Sequence, residues 1–231
     1  MNTIKTFLIF VGLALILQLS AEDYFWVGGT GNRSDLNSWR TPNGQIPNEI
    51  PDETDNVIFN ENSFLNSLDT VFILTGNPTC HDMRWLNIQE PVVMYGGSGS
   101  TSFNITGSVI LHHNLQNFYG GTIYFTSLEQ ETITSDSSWF QGSIVFDGPG
   151  TWTLVDSLTV GLDELSLEIE PIISGKIIQY NGTFNSNEQN IFCEGFRSEA
   201  GNPRNLIIEN SMIFSNAEWY INAQQFTMNA A

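Results

Sequence analysis

The chain has 231 residues, of which 25 are Asp or Glu and seven are Lys or Arg, giving a formal net charge of −18. Such a negative surface repels nucleic-acid phosphates, anionic lipid and polyanionic glycans, so these are excluded as partners; neutral glycans, cations and basic protein patches stay open. One domain or one elongated module is the expectation from length.

In chain order, the first element is an export signal. Lys5 is a lone positive charge ahead of an apolar run at residues 7–17, and Ser20 and Ala21 are the small residues of a cleavage site. That run is shorter than the roughly 20 apolar residues of a spanning helix. Residues 1–21 are therefore expected to be removed, leaving an extracellular chain with no membrane insertion and six basic residues, of which only Lys176 is a lysine.

Next comes "DYFWVGGTGNRSDLNSW" at 23–39, where Trp26 and Trp39 bracket a glycine turn. Neither G-x-G-x-x-G nor G-x-x-x-x-G-K-[ST] is present, and no lysine lies near, so this is not a phosphate loop. Residues 22–60 read as an irregular cap, with the two tryptophans available to cover apolar surface. Asp52, Glu53 and Asp55 in "PDETDN" are hard oxygen donors, but no D-x-[DN]-x-[DN]-G loop surrounds them. A solvated acidic turn is the reading there.

From residue 56 the chain shows short β-type runs closed by Gly, Asn, Asp or Ser: "NVIF" at 56, "VFIL" at 71, "SVIL" at 108, "TIYF" at 122, "SIVF" at 143, "TWTLV" at 151, "LSLEI" at 165 and "NLIIE" at 205. No helical period appears after residue 22. Cutting after glycines gives segments 122–142, 143–161 and 162–182, of 21, 19 and 21 residues. A period of about 20 residues with two or three short strands is one rung of a parallel β-solenoid. One rung cannot bury its own apolar side chains, whereas stacked rungs pair every strand with the rung above and below. Columns of like residues follow, Phe125 over Phe146 among them. Evenly spaced short strands also describe a β-sandwich, the alternative. The solenoid is expected over residues 61–231, with the chain continuing beyond them.

The head of the chain, "WVGGTGNRSDLNSWRTPNGQIPNEIPDETDNVIF", resembles the start of large exported bacterial β-solenoid proteins, with the pattern W-x-G-G-x-G-x-W-x-D-x-x-N-W, a glycine and proline loop, then Asp-x-Val-x-Phe. These are autotransporter-like passengers and the adhesin-like proteins of gliding, type IX-secreting bacteria. "CHDMRW" at 80–85 and "FNITGSVILHHNL" at 103–115 are similar to the latter group. Arg33 stands where the pattern has tryptophan, and its aliphatic stem can still cover apolar surface. The resemblance implies a surface-exposed, adhesive protein.

Catalytic sets are not singled out. His81, His112 and His113 are the only histidines; His112 and His113 are adjacent at the end of a β run, so strand alternation sends them to opposite faces, unable to share a metal. There is no G-x-S-x-G elbow. Cys80 and Cys193 lie near opposite ends of the repeat region, too many rungs apart to bridge, and Cys193 reads as a core residue. Trp139, Trp152 and Trp219 could stack on sugars but fit the core better. No catalytic, cofactor-binding or metal residue is assigned. The expected function is a non-enzymatic secreted or cell-surface module for adhesion or matrix interaction, with neutral glycans or surface proteins as partners, or a purely structural stalk. The alternative is a polysaccharide hydrolase or lyase on the same fold.

Overall fold

A computed structural model describes residues 21–97, 101–163, 172–173 and 175–230. The expected signal segment, Ala21 excepted, lies outside them, as does the run at 165–169. Among the described residues the only helical element is the 3-10 turn Leu36–Ser38, where the Asp35 carboxylate accepts the Asn37 N–H at 2.9 Å and so caps the turn. No described helix is long and apolar enough to cross a membrane.

The strands form a parallel β-solenoid with three faces. On the long face, nine parallel strands follow one another in sequence order: Asp23–Trp26, Asn56–Phe59, Met83–Trp85, Val109–Ile110, Gln130–Thr134, Thr151–Leu154, Gly182–Asn185, Arg204–Ile207 and Phe226–Asn229. Trp39–Arg40 pairs antiparallel with the first of them. A second face stacks Gly31–Asn32, Thr70–Ile73, Val92–Gly96 and Leu115–Tyr119. The third includes Ser102–Ile105, Thr122–Phe125, Ile144–Phe146 and Lys176–Gln179, and continues through Ile191–Ser198 to Ile213–Ile221.

Register fixes the repeat. The step from a residue to its partner one rung on is 26 for Val57 to Met83, 24 for Val109 to Ile133, 21 for Ile133 to Leu154 and 22 for Phe184 to Leu206. One rung differs from the glycine-cut segments: Trp152 pairs with Phe184, a step of 32. The extra length is an excursion in which Leu162–Asp163 runs antiparallel to Ile172–Ile173. Segment 162–182 is thus not a rung, and the strand that continues the column above Ile144–Phe146 is Lys176–Gln179.

Alternation along each strand puts every second residue inside. Phe103, Ile123, Ile144, Ile177 and Phe196 form one unbroken buried column through five rungs of the third face. Beside it Phe125 lies over Phe146 with rings 5.2 Å apart, and Phe146 reaches Phe184 at 4.6 Å. Gly142 must lack a side chain, because any Cβ there would run into the Gly121 carbonyl oxygen of the rung below.

The opening stretch wraps its own aromatic cluster. Trp26 and Trp39 meet edge to face at 5.1 Å, and both contact Phe59, which stacks on Trp85 at 3.9 Å. The indole N–H groups donate to the Gly29 and Arg33 carbonyls at 3.0 and 2.9 Å. The glycine turn exists for that packing: a Cβ on Gly28 would come within 2.9 Å of both Ser38 and the Trp26 ring. Arg33 goes further than covering surface with its stem. The whole side chain is buried, its guanidinium 5.2 Å from the Phe103 ring centroid and donating to the carbonyls of Pro51 and Thr79. Burial lowers its pKa from the ordinary arginine value.

Asp69 ties the glycine turn to the next rung, accepting from the Leu65 and Asn66 N–H groups at 2.8 and 2.9 Å and from the Thr30 hydroxyl at 2.9 Å. Burial by itself would raise its pKa, but these bonds outweigh it and hold the carboxyl below the usual value.

Two outcomes follow. Replacing Phe146 by alanine is expected to destabilise the protein by about 3–5 kcal/mol, measured by urea unfolding; a loss under about 1 kcal/mol would mean the stacked column contributes little. Asp69→Asn is expected to cost about 1 kcal/mol at pH 7. Because the folded pKa is depressed, the charged group's contribution is complete above the unfolded value near 4 and fades as pH falls through the folded one. The gap between wild type and variant in thermal melts is therefore flat from pH 5 to 7 and closes below about pH 4.

Candidate functional site

Outward positions of the second face carry a column of aromatics. Phe72 is in register with Tyr95, and Tyr95 with Phe118, so the three stand on successive rungs at the strand spacing of about 4.8 Å. The Phe72 and Tyr95 rings are 6.2 Å apart and nearly perpendicular, and Trp139 continues the line with its ring 6.0 Å from Phe118. Tyr95 is 51% exposed, Phe72 and Phe118 are half-buried, and Trp139 is 6% exposed.

The column borders a corner built of glycine. Gly96 has a positive φ, in the region that favours glycine, and any Cβ there would collide with the Ile73 carbonyl oxygen. The Gly120 N–H donates to the Gly96 carbonyl at 2.8 Å, and the Gly142 N–H to the Tyr119 carbonyl at 3.1 Å, stacking the corner rung on rung. Among the described residues a groove of about 460 Å³ lies at this corner, lined by Tyr95, Phe118, Gln141, Ser143 and the glycines. It offers aromatic rings, an amide and a hydroxyl, and among the described residues its lining contains no carboxylate and no cation. That is the chemistry for holding a neutral polyol.

A larger groove of about 610 Å³ lies between the long and third faces, lined by Asn181, Thr183, Asn202, Arg204 and Thr227 among others. Its one cation is already used. Arg204 is buried and donates to Ser198 Oγ and to the carbonyls of Asn202, Asn222 and Gln224, with its guanidinium beside the Phe226 ring. The groove near Tyr95 is therefore the stronger candidate.

Trp152 and Trp139 are buried, whereas Trp219 is 47% exposed and stacks on Phe196 at 4.9 Å. Asp52, Glu53 and Asp55 do not converge: Asp52 accepts from the Thr54 N–H and hydroxyl, and Asp55 from the Asp52 N–H. Burial raises the Asp55 carboxyl above its ordinary value. Cys80 and Cys193 are both free thiols in the core, pushed by burial up to about 12 and about 11. The histidine pair departs from expectation. The strand ends at Ile110, so alternation no longer applies two residues later, and His112 and His113 sit on the same side with rings stacked at 4.1 Å. His81 is apart from them, with Nδ1 3.2 Å from the Thr106 hydroxyl.

Phe72, Tyr95 and Phe118 were not singled out from sequence. The available signal was "MYGG" at 94–97 and "FYGG" at 118–121, an aromatic before a glycine pair on consecutive rungs. The two motifs are one residue out of step: Tyr119 pairs with Gly96 and is fully buried, while Tyr95 pairs with Phe118 and faces out.

Fold and groove together define a three-faced parallel β-solenoid with a lateral aromatic strip. Compared with protein families, curated proteins and solved structures, the chain matches none.

Since only the thiolate reacts, neither cysteine is expected to react with a thiol–disulfide exchange reagent in the folded protein at pH 8, and both to react after denaturation. A fast-reacting thiol in the native state would show that the buried assignment is wrong.

Proposed function

We propose that this is a non-enzymatic secreted or cell-surface solenoid that mediates adhesion or matrix contact by binding neutral glycan along its second face. The observation that carries this reading is the outward column Phe72–Tyr95–Phe118 in rung register, beside a glycine corner whose groove is lined by Tyr95 and Phe118. Aromatic faces pack against the apolar face of a pyranose ring, while Gln141 and Ser143 supply hydrogen bonds to hydroxyls. An extended β(1→4)-linked pyranose chain has a rise per sugar close to the rung spacing, so consecutive sugars meet consecutive rungs. The net charge of −18 favours neutral over acidic glycans.

The reading as a polysaccharide hydrolase or lyase has less support. Glycoside hydrolysis uses two carboxylates across the scissile bond, and none lines this groove. A stalk with no ligand is the remaining alternative, and the same experiment separates all three.

The full chain, applied to an array of neutral and acidic oligosaccharides, is expected to retain neutral linear glycans intact. Tyr95→Ala should weaken that binding roughly tenfold, the loss of one stacking face, while leaving the melting temperature nearly unchanged. Absence of glycan binding would leave the stalk reading, and shortening of the oligosaccharide would favour the enzyme.

A further inference from the structure

At the corner after Val109–Ile110, two successive rungs bring three metal-ligating side chains together. The Asp136 carboxylate stands one rung above His113: its Oδ2 accepts the His113 N–H at 3.1 Å and contacts His113 Nδ1 at 2.8 Å. The His112 ring stacks on that of His113 at 4.1 Å. One ligand atom from each of His112, His113 and Asp136 lies within 4.8 Å of the other two, the single such group of His, Cys, Asp and Glu among the described residues.

We propose that His112, His113 and Asp136 form a binding site for one divalent transition ion of the Zn²⁺, Ni²⁺ and Cu²⁺ group. Two imidazoles and a carboxylate are a donor set for these ions, whereas Ca²⁺ and Mg²⁺ prefer oxygen ligands alone. His113 Nδ1 and Asp136 Oδ2 are 2.8 Å apart, and a metal held by both takes the place of the proton between them. In the neutral imidazole that proton moves to Nε2 and the carboxylate stays ionised, so charge and protons balance. His112 completes the set, and water fills the remaining positions of this solvent-facing corner.

The surroundings suit an ion. Asp136 is held in a left-handed conformation (φ +44°), and its own N–H and that of Ser135 donate to Asp156 on the following rung at 2.6 and 2.7 Å. The backbone that carries the carboxylate is thus tied to the following rung. The Asn114 N–H contact to His112 Nδ1 is at the long end of hydrogen bonds and readily exchanged for a metal bond. The site is on a different corner from the aromatic column and stands or falls independently of glycan binding.

The test is calorimetric titration of the full chain with Zn²⁺, Ni²⁺ or Cu²⁺ alone, in millimolar Ca²⁺ and Mg²⁺ to occupy scattered surface carboxylates. One equivalent should bind, with Cu²⁺ tightest. His113→Gln and His112→Gln are expected to weaken binding roughly tenfold or more, and Asp136→Asn likewise. His81→Gln should leave the titration unchanged. Since the replaced side chains are at the surface, circular dichroism is expected to show an unaltered fold in each variant. In long-range proton–nitrogen NMR spectra, Zn²⁺ should move the His113 ring proton from Nδ1 to Nε2. Equal binding by wild type and the His112→Gln/His113→Gln double variant would overturn the proposal. So would an unresponsive wild type, which would leave the corner as a structural His–Asp pair.

Discussion

Everything in this molecule depends on parallel backbone pairing between successive rungs. Each strand inside a sheet donates and accepts to the rung on either side, so its register is set twice, and a residue on one rung is delivered over its counterpart on the next. That constraint turns a one-dimensional repeat into columns: an interior column such as Phe103–Ile123–Ile144–Ile177–Phe196, and an exterior one such as Phe72–Tyr95–Phe118. Stability and surface chemistry come from the same geometry, because strand alternation commits neighbouring residues to opposite fates.

The first rungs show how the stack begins. A solenoid leaves its end strand unpaired and its end column uncovered, a hazard for edge-to-edge association. Here Trp39–Arg40 turns back antiparallel on Asp23–Trp26, and Trp26 and Trp39 close over Phe59. Arg33 is buried within this region, with Nη2 donating to two carbonyls, the guanidinium beside the Phe103 ring, and Nε buried without a hydrogen-bond partner. At the opposite end, Phe214, Trp219, Tyr220 and Met228 on the outermost described strands are exposed.

Corners do the chemical work that strands cannot. At one corner successive glycines keep side chains out of the way and open a groove beside aromatic rings. At another, a turn after Ile110 releases His112 and His113 from alternation and places them under Asp136. Both arrangements arise because equivalent turns stack as faithfully as the strands do, so a two-residue feature on one rung meets its complement on the next.

The β runs, their glycine and asparagine stops, the roughly 20-residue spacing and the stacking of Phe125 on Phe146 were legible in the sequence by itself, since they follow from side-chain volume, β propensity and burial, which are local properties. Register was not. Whether the rung from Thr151 closes at Thr183 after an excursion, or whether Tyr95 or Tyr119 faces outward in near-identical motifs, turns on a one-residue offset that flips every side chain to the other face. The histidine corner was hidden for the same reason: residues 112, 113 and 136 are brought together by inter-rung hydrogen bonds, and only the folded stack decides which turns lie above one another.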